Sequence, residues 1–259
     1  MSAPALIIDS LHFGYTADRP VLRGVDLIAD RGELVSILGQ NGAGKSTLFR
    51  CILGLIRHYQ GSVRIDAKEG KTISPKELAS KVAYIPQSHY SSFNYSVLDM
   101  VLMGSAGALS AAQNPGRKEE ARAREALERV GMLKLCDQGF AQISGGEQQL
   151  VLMARAIVQN ADIWVLDEPL ASLDYGNQIR VLTQLKNMAS NGYLILQSIH
   201  NPDQAYRYSD RIIALKDGTV LACGKPSEVM DEALLKEIYG DDISWKYPEA
   251  RTGSGERKK

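Results

Sequence analysis

Three things are scarce or missing in this sequence, and each excludes a class of protein. Cysteine is scarce: Cys51, Cys136 and Cys223 are the only three in 259 residues. They lie far apart, with no C-x-x-C pair and no histidine cluster nearby, so neither a zinc site nor a disulfide framework is indicated. An odd count of scattered thiols fits a reducing compartment, and all three are expected to be small buried hydrophobes. Long apolar runs are missing, and none approaches the ~18 residues that a bilayer span needs. The start, Met1-Ser2-Ala3-Pro4, has no basic segment, and Asp9 interrupts Leu6-Ile7-Ile8, so it does not read as a signal peptide. A soluble protein is expected, meeting a membrane only through a partner. Charge of one sign is missing too, with 30 Lys and Arg against 30 Asp and Glu. Binders of nucleic acid or anionic lipid are basic, so no nucleic-acid partner is expected.

What is present is ample for a folded core. The chain is 44% hydrophobic, and a chain of this length buries roughly 70–75% of its unfolded surface. At ~150 residues per domain it holds one or two domains. Strands are predicted at 6–13, 21–29, 33–38, 61–66, 82–86, 163–166 and 193–199. Helices are predicted at 45–57, from Ser74-Pro75 onward, and at 96–103, 117–130, 144–159, 178–189, 202–208 and 227–239. Ser74 and Glu77 have the spacing of a capping box, with Pro75 at the first helical position. The helix over 117–130 is charged, which fits a solvated face. Asp217-Gly218 between two apolar runs signals a hairpin. Strands alternate with helices, with antiparallel β at both ends, which means α/β with a mostly parallel sheet. The helix-rich middle departs from that alternation. Residues from about Trp245 onward are polar and read as a frayed tail.

Gly39-Gln40-Asn41-Gly42-Ala43-Gly44-Lys45-Ser46 fits G-x-x-x-x-G-K-[ST] between a predicted strand and a predicted helix, the context the motif requires. Glycines let successive N–H groups converge, and the helix N-terminus adds positive potential, so the loop holds phosphate. Lys45 has the reach for β- and γ-phosphates, and Ser46, followed by Thr47, supplies a hydroxyl for Mg²⁺. Ile163-Trp164-Val165-Leu166-Asp167-Glu168 is an apolar strand ending in two acids, at the sheet edge where α/β proteins place ligands. Asp167 suits Mg²⁺, and Glu168 suits polarising a water for attack on phosphate. Ser144-Gly145-Gly146-Glu147 opens another helix. Its bland reading is a capping box, and its sharper one is a second phosphate site. One chain has no need of two cradles around one nucleotide, whereas two chains facing head to tail would use both.

These motifs, in this order, resemble the ATP-binding subunit of an ABC (ATP-binding cassette) transporter over about residues 5–240. Further positions match that family's pattern. Tyr15 matches the aromatic that stacks on adenine, and Gln87 the glutamine that senses Mg²⁺ and the attacking water. Ser172-Leu173-Asp174 matches the loop that crosses the dimer interface, and His200 the histidine that contacts the γ-phosphate. Gly146 lies in the signature that completes the partner's site. The signature reads Ile-Ser-Gly-Gly-Glu where Leu-Ser-Gly-Gly-Gln is usual. Leu170-Ala171 replaces a frequent Thr-Ser, and Asn201 stands where an acid is common. His12, His58 and His89 have no such context and are taken as structural.

The resemblance implies a P-loop NTPase core, an N-terminal antiparallel β subdomain and a helical subdomain at about 88–160. It implies a single domain over 1–245 and a polar tail over 246–259. It implies ATP held by Tyr15, Gly39, Asn41, Gly42, Ala43, Gly44, Lys45, Ser46 and Thr47. In trans, Ser144, Gly145, Gly146, Glu147 and Asp174 of a second copy would complete the site. Mg²⁺ would sit among Ser46, Gln87 and Asp167, and Glu168, His200 and Gln87 would be catalytic. The implied partners are a second copy, integral membrane permease subunits and, indirectly, an extracytoplasmic substrate-binding protein, at the cytoplasmic face of the membrane. The segment from Ser96 to Gly104, with Asp174-Tyr175-Gly176-Asn177-Gln178, is similar to importers of iron-siderophores, haem, cobalamin and molybdate. Tyr90, Phe93 and Tyr95 are candidate permease contacts. The alternative is a soluble cassette ATPase, such as one acting in Fe–S assembly.

Overall fold

The computed structural model describes residues 3–16, 18–87, 94–107, 115–241 and 245. The chain opens with two long strands, β1 (Leu6–Thr16) and β2 (Arg19–Ala29), then β3 (Leu34–Leu38) and α1 (Lys45–Ile52). Next come β4 (Gln60–Ile65), the short β5 (Lys68–Glu69), α2 (Pro75–Lys81) and β6 (Val82–Ile85). The middle is helical: α3 (Val97–Leu102), α4 (Arg117–Arg129) and α5 (Gly145–Gln159). Alternation then resumes with β7 (Ile163–Leu166), α6 (Tyr175–Ser190), β8 (Leu194–Ile199), α7 (Pro202–Tyr208), β9 (Arg211–Lys216) and β10 (Thr219–Gly224). Two short helices complete the order, α8 (Pro226–Val229) and α9 (Glu232–Tyr239).

Two sheets divide the strands. One is antiparallel, in the order β2-β1-β4-β5. The other runs β10-β9-β3-β8-β7-β6, parallel from β9 to β6, with β10 antiparallel at one edge. The strands β3, β7 and β8 are buried along their whole length. That burial explains their continuous apolar character, since a parallel sheet is covered on both faces. One core lies between this sheet and the N-terminal sheet, including Phe13, Leu48, Phe49 and Ile163. The other joins the opposite face to the helical middle, including Trp164, Leu150, Met153 and Leu127. The consequence for function is geometric. Strands β3, β6, β7 and β8 all point the same way, so the residues after their C-terminal ends gather at one sheet edge.

Several boundaries differ from the sequence expectation. Helix α1 stops at Ile52 rather than near Arg57, because Gly54 takes φ +65° and turns the chain. Helix α6 starts at Tyr175 rather than Gln178, capped by the Asp174 carboxylate on the Asn177 N–H. The helix expected over 227–239 is two, because Asp231 caps a new start at Glu232. Ser74 caps α2 as expected, but Glu77 does not complete the box, since its carboxylate pairs with Lys68 at 2.6 Å. Cys51 and Cys136 are buried as expected, whereas Cys223 is exposed on the edge strand β10. Trp245 does not belong to a frayed tail: it is 9% exposed, with its indole N–H on Asp203. His89, Tyr90 and Phe93 lie outside the described residues.

Candidate active site

The glycine-rich loop leaves β3 and enters α1. Gly44 stands at the helix N-cap with φ +109°, a conformation that side chains with a Cβ resist. Gly42, at φ +86°, is a second left-handed position in the loop, and an added Cβ there would meet nothing within 4 Å. Lys45 is 5% exposed and folds back along the loop, its ammonium on the carbonyls of Gly39 (2.7 Å) and Gln40 (3.0 Å). Burial pulls the lysine below its ordinary value, while Glu168 and Asp167 oppose the shift. Ser46 and Thr47 form the first turn of α1. Tyr15 is 56% exposed at the end of β1. Its hydroxyl lies 3.5 Å from Thr47 Oγ1 and accepts from Arg50 at 2.9 Å, which places an open aromatic ring beside the loop.

At the ends of β6, β7 and β8 the structure brings four predicted residues into one cluster. Gln87 Nε2 donates to Glu168 Oε2 at 2.9 Å, and His200 Nε2 lies 2.6 Å from Glu168 Oε1. Glu168 takes φ +48°, a left-handed conformation uncommon for a residue with a side chain and one that strained sites exploit. Ser198, on β8, is the organiser that sequence reasoning missed. Its hydroxyl donates to Asp167 Oδ1 at 2.8 Å and accepts the Glu168 N–H at 2.7 Å. One side chain thereby fixes both acids. The available signal was its place two residues before His200 on a strand next to β7. Beside the cluster is a cavity of about 220 Å³, lined by Glu168, Leu170, Gln178, Ser198, His200 and Gln204 among others.

A second cluster forms where α5 and α6 begin. Ser144 caps α5, and Glu147 Oε2 accepts from the Ser144 N–H (2.8 Å) and hydroxyl (2.7 Å), a full capping box. The Ser144 hydroxyl and N–H hold the Glu147 carboxyl below its usual range. Asn177 ties this start to the next one. Its N–H and side-chain amide hold the Asp174 carboxylate at 3.0 and 2.6 Å, which depresses that carboxyl too. Its side chain also fills the space over Gly146, where an added Cβ would come within 2.5 Å of Asn177 Cγ. Sequence reasoning missed this role of Asn177. Among the described residues, no hydrogen bond or ion pair links Ser144–Glu147 to the Gly39–Thr47 loop. The starts of α1 and α5 are therefore not bonded to each other within one chain.

A family model described as ABC transporter matches residues 22–171. The chain belongs to the ABC transporter family. It is 38% identical over 245 residues to the zinc transport system ATP-binding protein TroB of Treponema pallidum, covering 94% of this chain and 90% of that one. It is 36% identical over 236 residues to the hemin import ATP-binding protein HmuV of Streptomyces coelicolor, covering 91% and 83%. Among solved structures it superposes on a metal-chelate type ABC transporter in an inward-facing conformation, with TM-score 0.81 and 29% identity over 91% of this chain and 89% of the other. An ATP-binding cassette in its ADP conformation gives TM-score 0.82 at 25% identity, covering 91% and 98%. The chain is accordingly a nucleotide-binding ABC ATPase with the P-loop NTPase fold, and it hydrolyses ATP. No helix among the described residues is long and apolar enough to cross a membrane.

Proposed function

We propose that this ABC cassette is the motor subunit of an importer for a metal chelate, of the iron-siderophore, haem, cobalamin or molybdate kind. Two copies close head to tail around two ATP. The Gly39–Thr47 loop and Lys45 of one copy hold the phosphates, and Tyr15 stacks on the adenine. Gly145 and Gly146 of the other copy offer N–H groups to the γ-phosphate, and the Ser144 hydroxyl, which donates to Glu147 in the free chain, turns to the phosphate on closure, with Asp174 bracing the neighbouring helix start. Charge-dipole attraction makes such helix starts anion sites.

The observation that carries the catalytic part is the suspension of Glu168 between Gln87 and His200. A carboxylate fixed from two sides is oriented to take a proton from an attacking water, and general bases contribute about 10²–10⁴-fold. His200, held beside it on Glu168, would contact the γ-phosphate. The donor set of Ser46, Gln87 and Asp167 is all hard oxygen, which suits Mg²⁺. The Gln87 amide N–H₂ is engaged on Glu168, which leaves its carbonyl oxygen as the ligand atom. Mg²⁺, when bound, neutralises phosphate charge.

ATP closure and reopening on hydrolysis would drive integral membrane permease subunits, fed by an extracytoplasmic substrate-binding protein, with this chain peripheral at the cytoplasmic face. The cargo class is supported by relatives whose names specify zinc, hemin, iron chelatin and manganese. The test is a mild-detergent purification of the tagged chain from its native host. Co-purification of a many-span membrane protein is expected. Repeated recovery of soluble partners alone, such as Fe–S assembly proteins, would overturn the importer and leave the ATPase standing.

A further inference from the structure

We propose that Tyr239, near the C-terminal end of the described chain, is a positioning residue for the ATPase reaction, acting through His200. This rests on the catalytic role proposed for His200. Strands β3 and β8 pair in parallel from Leu34 opposite Ile195 to Leu38 opposite Ile199. The next residues, Gly39 and His200, part company. One enters the phosphate loop and the other turns toward α7. Backbone groups at such a split lose their ladder partners and need others. The Tyr239 hydroxyl supplies one on the His200 side, donating to the His200 carbonyl at 3.3 Å. It ties helix α9 to the backbone that presents the imidazole.

Tyr239 is held in place by its own helix. Leu234, Leu235 and Ile238 of α9 are buried in the main core, which fixes the height and direction of Tyr239. A second anchor acts a few residues further along the turn. The Trp245 indole donates to Asp203 Oδ1 at 2.8 Å, and its ring stands edge-on to Tyr206 at 5.7 Å. Asp203 lies in the first turn of α7, just after His200-Asn201-Pro202. The turn carrying His200 is therefore gripped at both ends by the chain's C-terminal segment. The His200 ring is 44% exposed, with Glu168 as its side-chain partner. Its position relative to Glu168 is thus set chiefly by where the backbone places it.

The test uses full-length chain carrying Tyr239→Phe, His200→Ala and both together, with ATPase kcat and KM measured below the melting temperature of each. Tyr239→Phe keeps the ring and its packing and removes only the hydroxyl. It is expected to lower kcat about tenfold, the scale of a small misplacement of a catalytic group, with KM for ATP little changed. The double variant is expected to match His200→Ala alone, because a group acting through another has nothing left to act on. Trp245→Phe, which removes the indole N–H, should give a smaller loss of kcat with the same dependence on His200. An unchanged kcat in Tyr239→Phe, or losses that multiply in the double variant, would overturn the inference while leaving the role of His200 intact. An unchanged kcat in His200→Ala would overturn the role of His200 and this inference with it.

Discussion

His200 Nε2 stands 2.6 Å from Glu168 Oε1, although the two residues belong to loops after different strands and lie 32 positions apart. Parallel strands make this meeting possible. Strands β7 and β8 are neighbours running the same way, so their C-terminal loops emerge at the same edge. The contact is the core of the catalytic proposal, and its supports can be removed one at a time.

Ser198→Ala should damage both acids at once. It leaves the Glu168 N–H and Asp167 Oδ1 without their shared partner, and an orphaned buried group costs about 1–3 kcal/mol. The expected outcome is a lowered melting temperature and a kcat reduced at least as much as by Gln87→Ala. Steady-state phosphate release together with thermal melts checks this. A variant with wild-type kcat would remove Ser198 from the site.

Gly146→Ala should separate binding from turnover. The new methyl would come within 2.5 Å of Asn177 Cγ and push apart the starts of α5 and α6. Overpacking of this kind costs about 1–3 kcal/mol. ATP affinity of the isolated chain should persist, because the Gly39–Thr47 loop is untouched, while ATPase activity should collapse. Nucleotide titration beside an ATPase assay measures both. Undiminished hydrolysis would argue that Ser144–Gly146 takes no part in the reaction.

Asp66 predicts a pH dependence. Burial works to raise its pKa, but hydrogen bonds from Lys81 (2.5 Å) and Arg31 (2.8 Å) outweigh burial and hold the carboxyl below its ordinary value. A carboxyl with a depressed folded pKa binds its proton more readily when unfolded. Its stabilisation is therefore present above the ordinary carboxylate pKa, near 4, and fades as pH falls through the lower folded value. In urea melts the gap between wild type and Asp66→Asn should be constant near neutrality and shrink as pH drops below about 4. A gap that widens on acidification would contradict the assignment.

The three thiols should react unequally. Burial pushes Cys51 up to about 12, and Cys136 is buried too, while Cys223 is exposed. The thiolate is the reactive form, so a mild alkylating reagent should modify Cys223 alone in the native protein and all three after denaturation. Mass spectrometry of digested samples decides it. Native modification of Cys51 would show that its pocket opens.

How much of this the sequence makes visible depends on whether the controlling interaction is local. The α/β class and the strands β3, β7 and β8 are legible because a buried parallel strand is a continuous apolar run. The phosphate loop is legible because its glycines and lysine act within eight consecutive residues. The end of α1 is hidden because a single Gly54 outweighs an apolar pattern that continues past it. The start of α6 is hidden because Asp174 also fits the pattern of an interface loop, which obscures its capping role. Ser198, Asn177, Tyr239 and Trp245 share one reason for escaping notice. Each works through a partner distant in sequence or on a neighbouring element, and nothing in its own neighbourhood marks it.

The central claim is that two copies close around ATP, using the phosphate loop of one and the Ser144–Gly146 helix start of the other. The most direct measurement is the solution mass of Glu168→Gln by light scattering, with and without MgATP. Loss of the base should allow binding while nearly abolishing turnover. The account predicts a monomer without nucleotide and a dimer with MgATP, with the dimer lost when Gly146→Ala is added. A Glu168→Gln protein that binds MgATP yet stays monomeric at saturation would contradict it.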